Sequence, residues 1–267
     1  MEVQQQYAVG DVWARIDAAI RSQGKDPAHL SLDDVASLEE FHIGGRQATV
    51  ELAQLAGFTR GSRVVDVGAG LGGPARLLAS RFDCEVTTVD LTPEYCHAAE
   101  MLNQATGLGA RVTVRQANAL DLPFVDGEFD GAWTQHASMN IEDKERLYAE
   151  VRRVIKTGAI FALHDVHAGP VQPLVFPVPW ADTSSVSFLA TPEQTRRDLL
   201  SAGFEVVEWR DRTREAIEFF KTWAAAAQRP AMGVHVYVPD LAEKSQNQVQ
   251  NFERDRLRVS LAVVRAV

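Results

Sequence analysis

The sequence is short of cysteine, with only Cys84 and Cys96 in 267 residues. Two thiols cannot build a disulfide scaffold, and they fit no metal-ligand spacing, so no metal is expected. Buried free thiols in a reducing cytoplasm are the expectation. Positive charge is also scarce. Lys and Arg total 27 against 36 Asp and Glu, a net charge of −9. No basic stripe is there to release counterions from a nucleic acid, so none is expected as a partner. No apolar run approaches the roughly 18 residues that span a bilayer, so no membrane insertion is expected. The opening MEVQQQYAVGD lacks the basic and apolar segments of a secretory leader. The chain has no internal repeat and no low-complexity tract. These absences leave a cytoplasmic protein acting on a small molecule, with a homo-oligomer left open.

What is present is a change of pattern near residue 60. Residues 11–23 place Val12, Ile16 and Ile20 on one helical face, with Asp11 as N-cap. SLDD from Ser31 resembles a capping box with Asp in place of Glu. FHIGG (41–45) reads as a loop, and RQATVELAQLAG as a helix stopped by Gly57. Residues 1–60 are therefore expected to form a helical cap. From residue 61 strands and helices alternate. Strands are predicted at 63–67, 85–90, 111–117, 129–134, 159–166 and 204–210. Helices are predicted at 74–82, 93–107, 141–155 and 191–203. Such alternation predicts a parallel sheet with helices on both faces. Residues 213–228 and 240–254 read as two more helices, and 256–267 as a final, seventh strand, expected to enter antiparallel. Four of the 11 prolines fall in HAGPVQPLVFPVPWAD. Proline removes ladder donors, so residues 167–190 are expected to form a lid-like insert.

VVDVGAGLGGPARLLA (64–79) is a strand, a glycine turn and a helix start. Gly68, Gly70 and Gly73 satisfy G-x-G-x-x-G, and Asp90 stands about 20 residues on, as in a dinucleotide site. An NAD(P)-dependent oxidoreductase is thus one reading. Asp66 argues against it. A carboxylate inside the strand calls for a cation and would repel a pyrophosphate. The unit also opens behind a helical cap, not at the start of the domain.

The same stretch resembles the first motif of class I S-adenosylmethionine-dependent methyltransferases. The similarity runs on through VTTVD (86–90), QANALDLPFVDGEFD (116–130), residues 133–166 and LLSAGFEV (199–206). It is nearest to the small-molecule branch that holds sarcosine/dimethylglycine and ubiquinone-type methyltransferases. KTGA (156–159) departs from the family's Lys-Pro-Gly-Gly turn, and Asn118 stands where many relatives carry Asp. The resemblance implies an α/β, Rossmann-like seven-stranded sheet over residues 61–267 and S-adenosyl-L-methionine as cofactor. It implies that Gly68 and Gly70 admit the methionine and ribose parts, that Asp66 meets the α-ammonium, and that Asp90 takes both ribose hydroxyls. Leu91 would pack on the adenine, Asn118 and Ala119 would meet its edge, and Gln135 and His136 would lie beside the sulfonium.

The implied reaction is in-line methyl transfer, which needs a base only where the acceptor must lose a proton. His136, His164 and His42 are the candidate bases, with His167 a fourth. Trp180, Phe176 and His42 are expected to wall the acceptor. The acidic balance favours a neutral or cationic acceptor, an amine first, with a hydroxyl or an activated carbon as alternatives. A protein that binds the cofactor without methylating, or steers a cyclisation, is a third reading.

Overall fold

The computed structural model describes residues 2–7, 10–39, 41–225 and 232–267. Seven strands form one sheet: β1 (Arg63–Val67), β2 (Glu85–Asp90), β3 (Val112–Gln116), β4 (Phe129–Gln135), β5 (Ile155–Ala168), β6 (Phe204–Asp211) and β7 (Leu257–Ala266). Their order is β3-β2-β1-β4-β5-β7-β6. β7 pairs antiparallel with both β5 and β6, and the pairings among β1 to β5 are parallel. The antiparallel arrival of the last strand is as the sequence led one to expect.

The helices are α1 (Glu2–Tyr7), α2 (Val12–Ser22), α3 (Leu32–Glu39), α4 (Gly45–Ala56), α5 (Gly73–Arg81), α6 (Pro93–Ala105), α7 (Lys144–Val154), α8 (Pro192–Ser201), α9 (Thr213–Ala225) and α10 (Leu241–Glu253). Of the helix expected over 213–228, residues 226–228 lie outside the described residues. The two-residue period of β1 decides which face each side chain meets. Val65 and Val67 join Leu147, Tyr148 and Val151 of α7 and Leu199 of α8 in one core. Val64 joins Leu52 of α4 and Ala75 and Leu78 of α5 in the core on the opposite face. Asp66 shares Val64's parity, so a carboxylate occupies a position where an apolar residue would continue the layer.

The helix signals read from the sequence have their physical counterparts. Asp11 caps α2 by accepting from the Ala14 N–H. Ser31 and Asp34 bond reciprocally at the start of α3, side chain to backbone in both directions. Thr191 and Gln194 complete a capping box on α8. α2 and α3 bury Val12, Ile16, Ile20, Val35 and Leu38 against Leu102 of α6 and Tyr237, so the N-terminal helices share a core with the sheet domain. A buried ion pair ties α3 to α5. Arg76 Nε donates to Glu39 Oε2 at 3.0 Å, and its Nη1 donates to Asn103 Oδ1 at 2.7 Å.

The fifth strand differs from the expected 159–166. It starts at Ile155, and KTG bulges within it instead of turning ahead of it. The register jumps from Phe129↔Ile155 to Gly131↔Ile160, and Gly158 takes a φ of 82°, a region open to glycine. The strand also runs on to Ala168 through pairing with β7. His164 and Asp165 are therefore interior strand residues and not its end.

Candidate active site

The strand ends and the glycine turn open on a cavity of about 700 Å³, a size within the rough 300–1,000 Å³ range of small-ligand sites. It sits at the C-terminal ends of β1, β2 and β4, where open α/β sheets bind ligands. Gly68 (φ 75°) and Gly70 (φ 54°) turn the chain over it. A Cβ on Gly68 would stand 2.3 Å from the Ala137 Cβ, so the turn is pressed against the loop after β4. Gly73 has a different reason: a Cβ there would meet the Glu39 side chain at 2.8 Å. The third glycine of the fingerprint thus serves helix packing, with no phosphate needed to explain it.

Asp66 and Asp90 line the cavity together. Asp66 is fully buried, and its Oδ2 has no hydrogen-bond partner among the described residues. Burial, then the charge of Asp90, pushes its carboxyl up to about 8. The carboxyl is therefore protonated at neutral pH, and a cation placed beside it would favour its ionised form. Asp90 Oδ2 accepts the Gly70 N–H at 2.8 Å and its Oδ1 accepts the Thr92 N–H at 2.9 Å. Burial raises its pKa too, against those two bonds. Asp90 is half-buried, and its carboxylate lines the cavity. Leu91 shows 36% of its surface and lines the same cavity, an apolar face held open. Asn118 and Ala119 line it as well. Asn118 Oδ1 caps the Leu120 N–H at 3.0 Å.

A second cavity, of about 260 Å³, shares Tyr7, Phe41, His42 and His136 with the first. His136 stands where the two meet. Its φ of 50° is unusual for a residue with a side chain, and its N–H donates to the His164 carbonyl at 2.8 Å. Its Nε2 is buried without a partner among the described residues. Burial first, then the charges of His164, His42 and His167, holds its pKa well below the usual histidine value, so the ring is neutral.

The other histidines are placed differently. His42 lies 3.2 Å by its Nε2 from Thr49 Oγ1, which donates to Gln135 Oε1 at 3.2 Å. Gln135 Nε2 in turn reaches His164 Nδ1 at 3.3 Å and His42 Nδ1 at 3.5 Å, and Trp133 Nε1 donates to Gln135 Oε1 at 3.1 Å. This network assigns Nε2–H tautomers to His42 and His164. Gln135 lines the first cavity, but its amide is spent on the protein. His164 lines neither cavity. It backs His136, ring centroids 4.7 Å apart, and burial holds its pKa down at about 3. His167 is bound to Ser260 Oγ at 2.6 Å, away from both cavities. Trp180 lines the second cavity, whereas Phe176 packs into the core beside Val178 and lines neither. Among the described residues no group of His, Cys, Asp and Glu is arranged to hold a metal ion. None of their helices is long and apolar enough to cross a membrane.

Sequence reasoning missed α1. Its Tyr7 lines both cavities and donates to Asn140 Oδ1 at 2.7 Å. Gln4 Nε2 donates to the Leu91 carbonyl at 3.1 Å, and Gln6 Oε1 accepts the Asp182 N–H at 3.1 Å. Six residues with three consecutive glutamines carry no apolar period that would announce a helix. The proline-rich insert is pinned as firmly. Asn140 Nδ2 donates to the carbonyls of Trp180 and Val186 at 2.9 and 2.8 Å.

Residues 65–163 match a family described as a methyltransferase domain. A sarcosine/dimethylglycine N-methyltransferase of Halorhodospira halochloris is 31% identical over 160 residues, 58% of this chain and 55% of that protein. The chain thus spans little more than half the length of this relative. Among solved structures, the fold is similar to a geranyl diphosphate C-methyltransferase of Streptomyces coelicolor A3(2), with a TM-score of 0.70 and 18% identity over 95% of this chain and 98% of that one. It is similar also to the [4+2]-cyclase SpnF, with a TM-score of 0.67 and 21% identity over 98% and 96% of the two chains.

Proposed function

We propose that the methyltransferase domain formed by residues 65–163 draws on S-adenosyl-L-methionine, held in the larger cavity, to methylate a small molecule held in the smaller one. One observation carries this reading: the buried, partnerless Oδ2 of Asp66 under the glycine turn. It suits the cofactor's α-ammonium and is ill suited to a pyrophosphate. Asp90 would take the ribose hydroxyls. Leu91 would cover one face of the adenine, with Asn118 and Ala119 at its edge, and Gly68 and Gly70 would admit the backbone-facing atoms. Gln135 would shape the methionine end through its place in the histidine network. When bound, the cofactor supplies an activated methyl group on a sulfonium, and the protein's own task is placement and exclusion of water.

The junction lined by His136, His42 and Tyr7 is where the acceptor atom would lie. Its nitrogen, oxygen or carbon would attack the methyl carbon as the carbon–sulfur bond breaks towards sulfur. His136 Nε2 would take the proton where one must leave, with His42 walling the junction and His164 holding the ring of His136 from behind. Residues 1–60 would serve as a cap and 167–190 as a lid, with Trp180 against the acceptor and Phe176 anchoring the lid. The compartment consistent with two free, buried thiols is the cytoplasm.

Calorimetric titration tests the reading. S-adenosylmethionine is expected to bind and NADH is not; binding of NADH alone would overturn the assignment. The pH dependence adds a second readout. Asp66 must ionise to meet a cation, so affinity should rise about tenfold per pH unit from pH 6 towards 8, then level off. The unliganded protein should show the opposite trend. Its native state keeps a proton on Asp66 that the unfolded chain releases near 3.8, so stability falls as pH rises from there to about 8. Asp66→Asn should flatten both curves. A wild-type affinity that does not vary with pH would remove Asp66 from the site.

A further inference from the structure

The smaller cavity is walled by apolar groups, among them Ile43, Met139, Trp180, Phe219 and Phe220, and its described lining holds no Lys, Arg, Asp or Glu. Among the polar side chains that interrupt that wall are two from one helix. Ser245 and Gln248 stand three residues apart on α10, on one face of the helix. They are only 7% and 4% exposed. Neither side chain makes a hydrogen bond to any described residue. Three other side chains of the helix are engaged with the insert: Lys244 with Asp182, Asn247 with the Pro177 carbonyl, and Asn251 with both backbone groups of Val175. The other neutral polar groups of the chamber are spent as well, Tyr7 on Asn140 and Ser37 on the Met232 carbonyl. The partnerless Nε2 of His136 belongs to the junction, and His235 is exposed at the surface.

A hydroxyl and an amide that line an apolar chamber, bonded to no described residue, are free to bond a ligand there. We propose that Ser245 and Gln248 form a recognition site for a neutral hydrogen-bonding group, a hydroxyl or carbonyl, carried by an apolar, uncharged methyl acceptor at a distance from its reacting atom. The inference rests on the smaller cavity being the acceptor chamber. Both side chains donate and accept, so a hydroxyl or a carbonyl satisfies the pair, while an ionic group finds no described counter-charge. The acceptor would thus have two polar points on an apolar body, one at His136 and one at α10.

The test uses the full chain saturated with S-adenosylhomocysteine and three probes: 2-naphthol, naphthalene-2,6-diol and naphthalene-2,7-diol. Binding is followed by calorimetry and by quenching of tryptophan fluorescence. At least one diol is expected to bind about tenfold more tightly than 2-naphthol, the gain of roughly one buried hydrogen bond. The double variant Ser245→Ala, Gln248→Leu should lose that gain and keep the wild-type affinity for 2-naphthol. Its melting temperature should not fall below that of the wild type, because neither side chain bonds a described residue. A lower melting temperature or a failure to fold would mean that the pair is structural, and would overturn the proposal. So would equal affinity for all three probes, an advantage of the diol that survives in the variant, or binding of sarcosine where none of the naphthols binds. Loss of S-adenosylhomocysteine binding in the wild type is a separate outcome, and it strikes the cofactor reading instead.

Discussion

Asp90→Ala is expected to weaken binding of S-adenosylmethionine by at least about a hundredfold, since two hydrogen bonds to a charged group are worth roughly 1.5–3 kcal/mol each. The structure adds a second effect. Asp90 accepts from the Gly70 and Thr92 N–H groups, so it also fixes the glycine turn and the start of α6. Alanine leaves both donors without their acceptor, at roughly 1–3 kcal/mol for a buried group. At about 2–4 °C per kcal/mol for a chain of this size, the melting temperature should fall by several degrees. Asp90→Asn separates the two effects. It keeps one oxygen for the turn but loses the charge and one acceptor, so the melting temperature should move less while affinity still drops about tenfold or more. Calorimetry and thermal unfolding on the same preparations give both numbers. An unchanged affinity in Asp90→Ala would remove Asp90 from the cofactor site and take the ribose assignment with it.

Asp90 also shows what kind of candidate site residue can be read from a sequence. Its position follows from a repeat of local rules: a β-branched strand, a turn, and a helix opened by proline. Asp66 was legible for the same reason, as a charge at an apolar position of a strand. The glycines were legible as a turn, but their separate duties were not. Gly68 yields to Ala137 and Gly73 to Glu39, contacts made across 69 and 34 positions of the chain. Long-range contacts leave no local trace. Hence His42, Gln135 and His164 could each be named from the sequence, while the network that occupies His42 and Gln135 and hides His164 behind His136 could not. Trp180 and Phe176 are four residues apart in one proline-rich loop and pack in the same core, and only the fold decides that Trp180 also reaches the chamber and Phe176 does not. Tyr7 was missed altogether because α1 is held by its bonds to Leu91, Asn140 and Asp182, not by an apolar face of its own. The similarity to methyltransferases and to a cyclase of the same fold leaves chemistry to the site.

His136 is where that choice is made. If the acceptor loses a proton in the reaction, His136→Asn should lower kcat by about 100- to 10,000-fold, the usual range for removing a general base. Asparagine is the informative substitution because it tolerates the left-handed backbone that His136 adopts, whereas alanine would add strain. Affinity for S-adenosylmethionine should stay close to that of the wild type, since the anchors proposed for the cofactor are Asp66, Asp90 and the glycine turn. A matching loss of cofactor affinity would instead mark His136 as a structural residue of the loop. The pH profiles sharpen the test. Burial and three neighbouring histidines hold its pKa well below 6.5, so the imidazole is ready to accept a proton throughout the neutral range. The kcat profile should then lack an acid limb near 6.5 and fall only at pH well below it. The kcat/KM profile for the cofactor reports on the free protein and should rise towards 8 with Asp66. Asp66 and His136 would thus titrate in separate plots. If kcat in His136→Asn stays within about threefold of the wild type, no proton is taken at Nε2 in the slow step. The acceptor is then a neutral amine or another nucleophile that attacks without a base, and the partnerless nitrogen is a matter of shape alone.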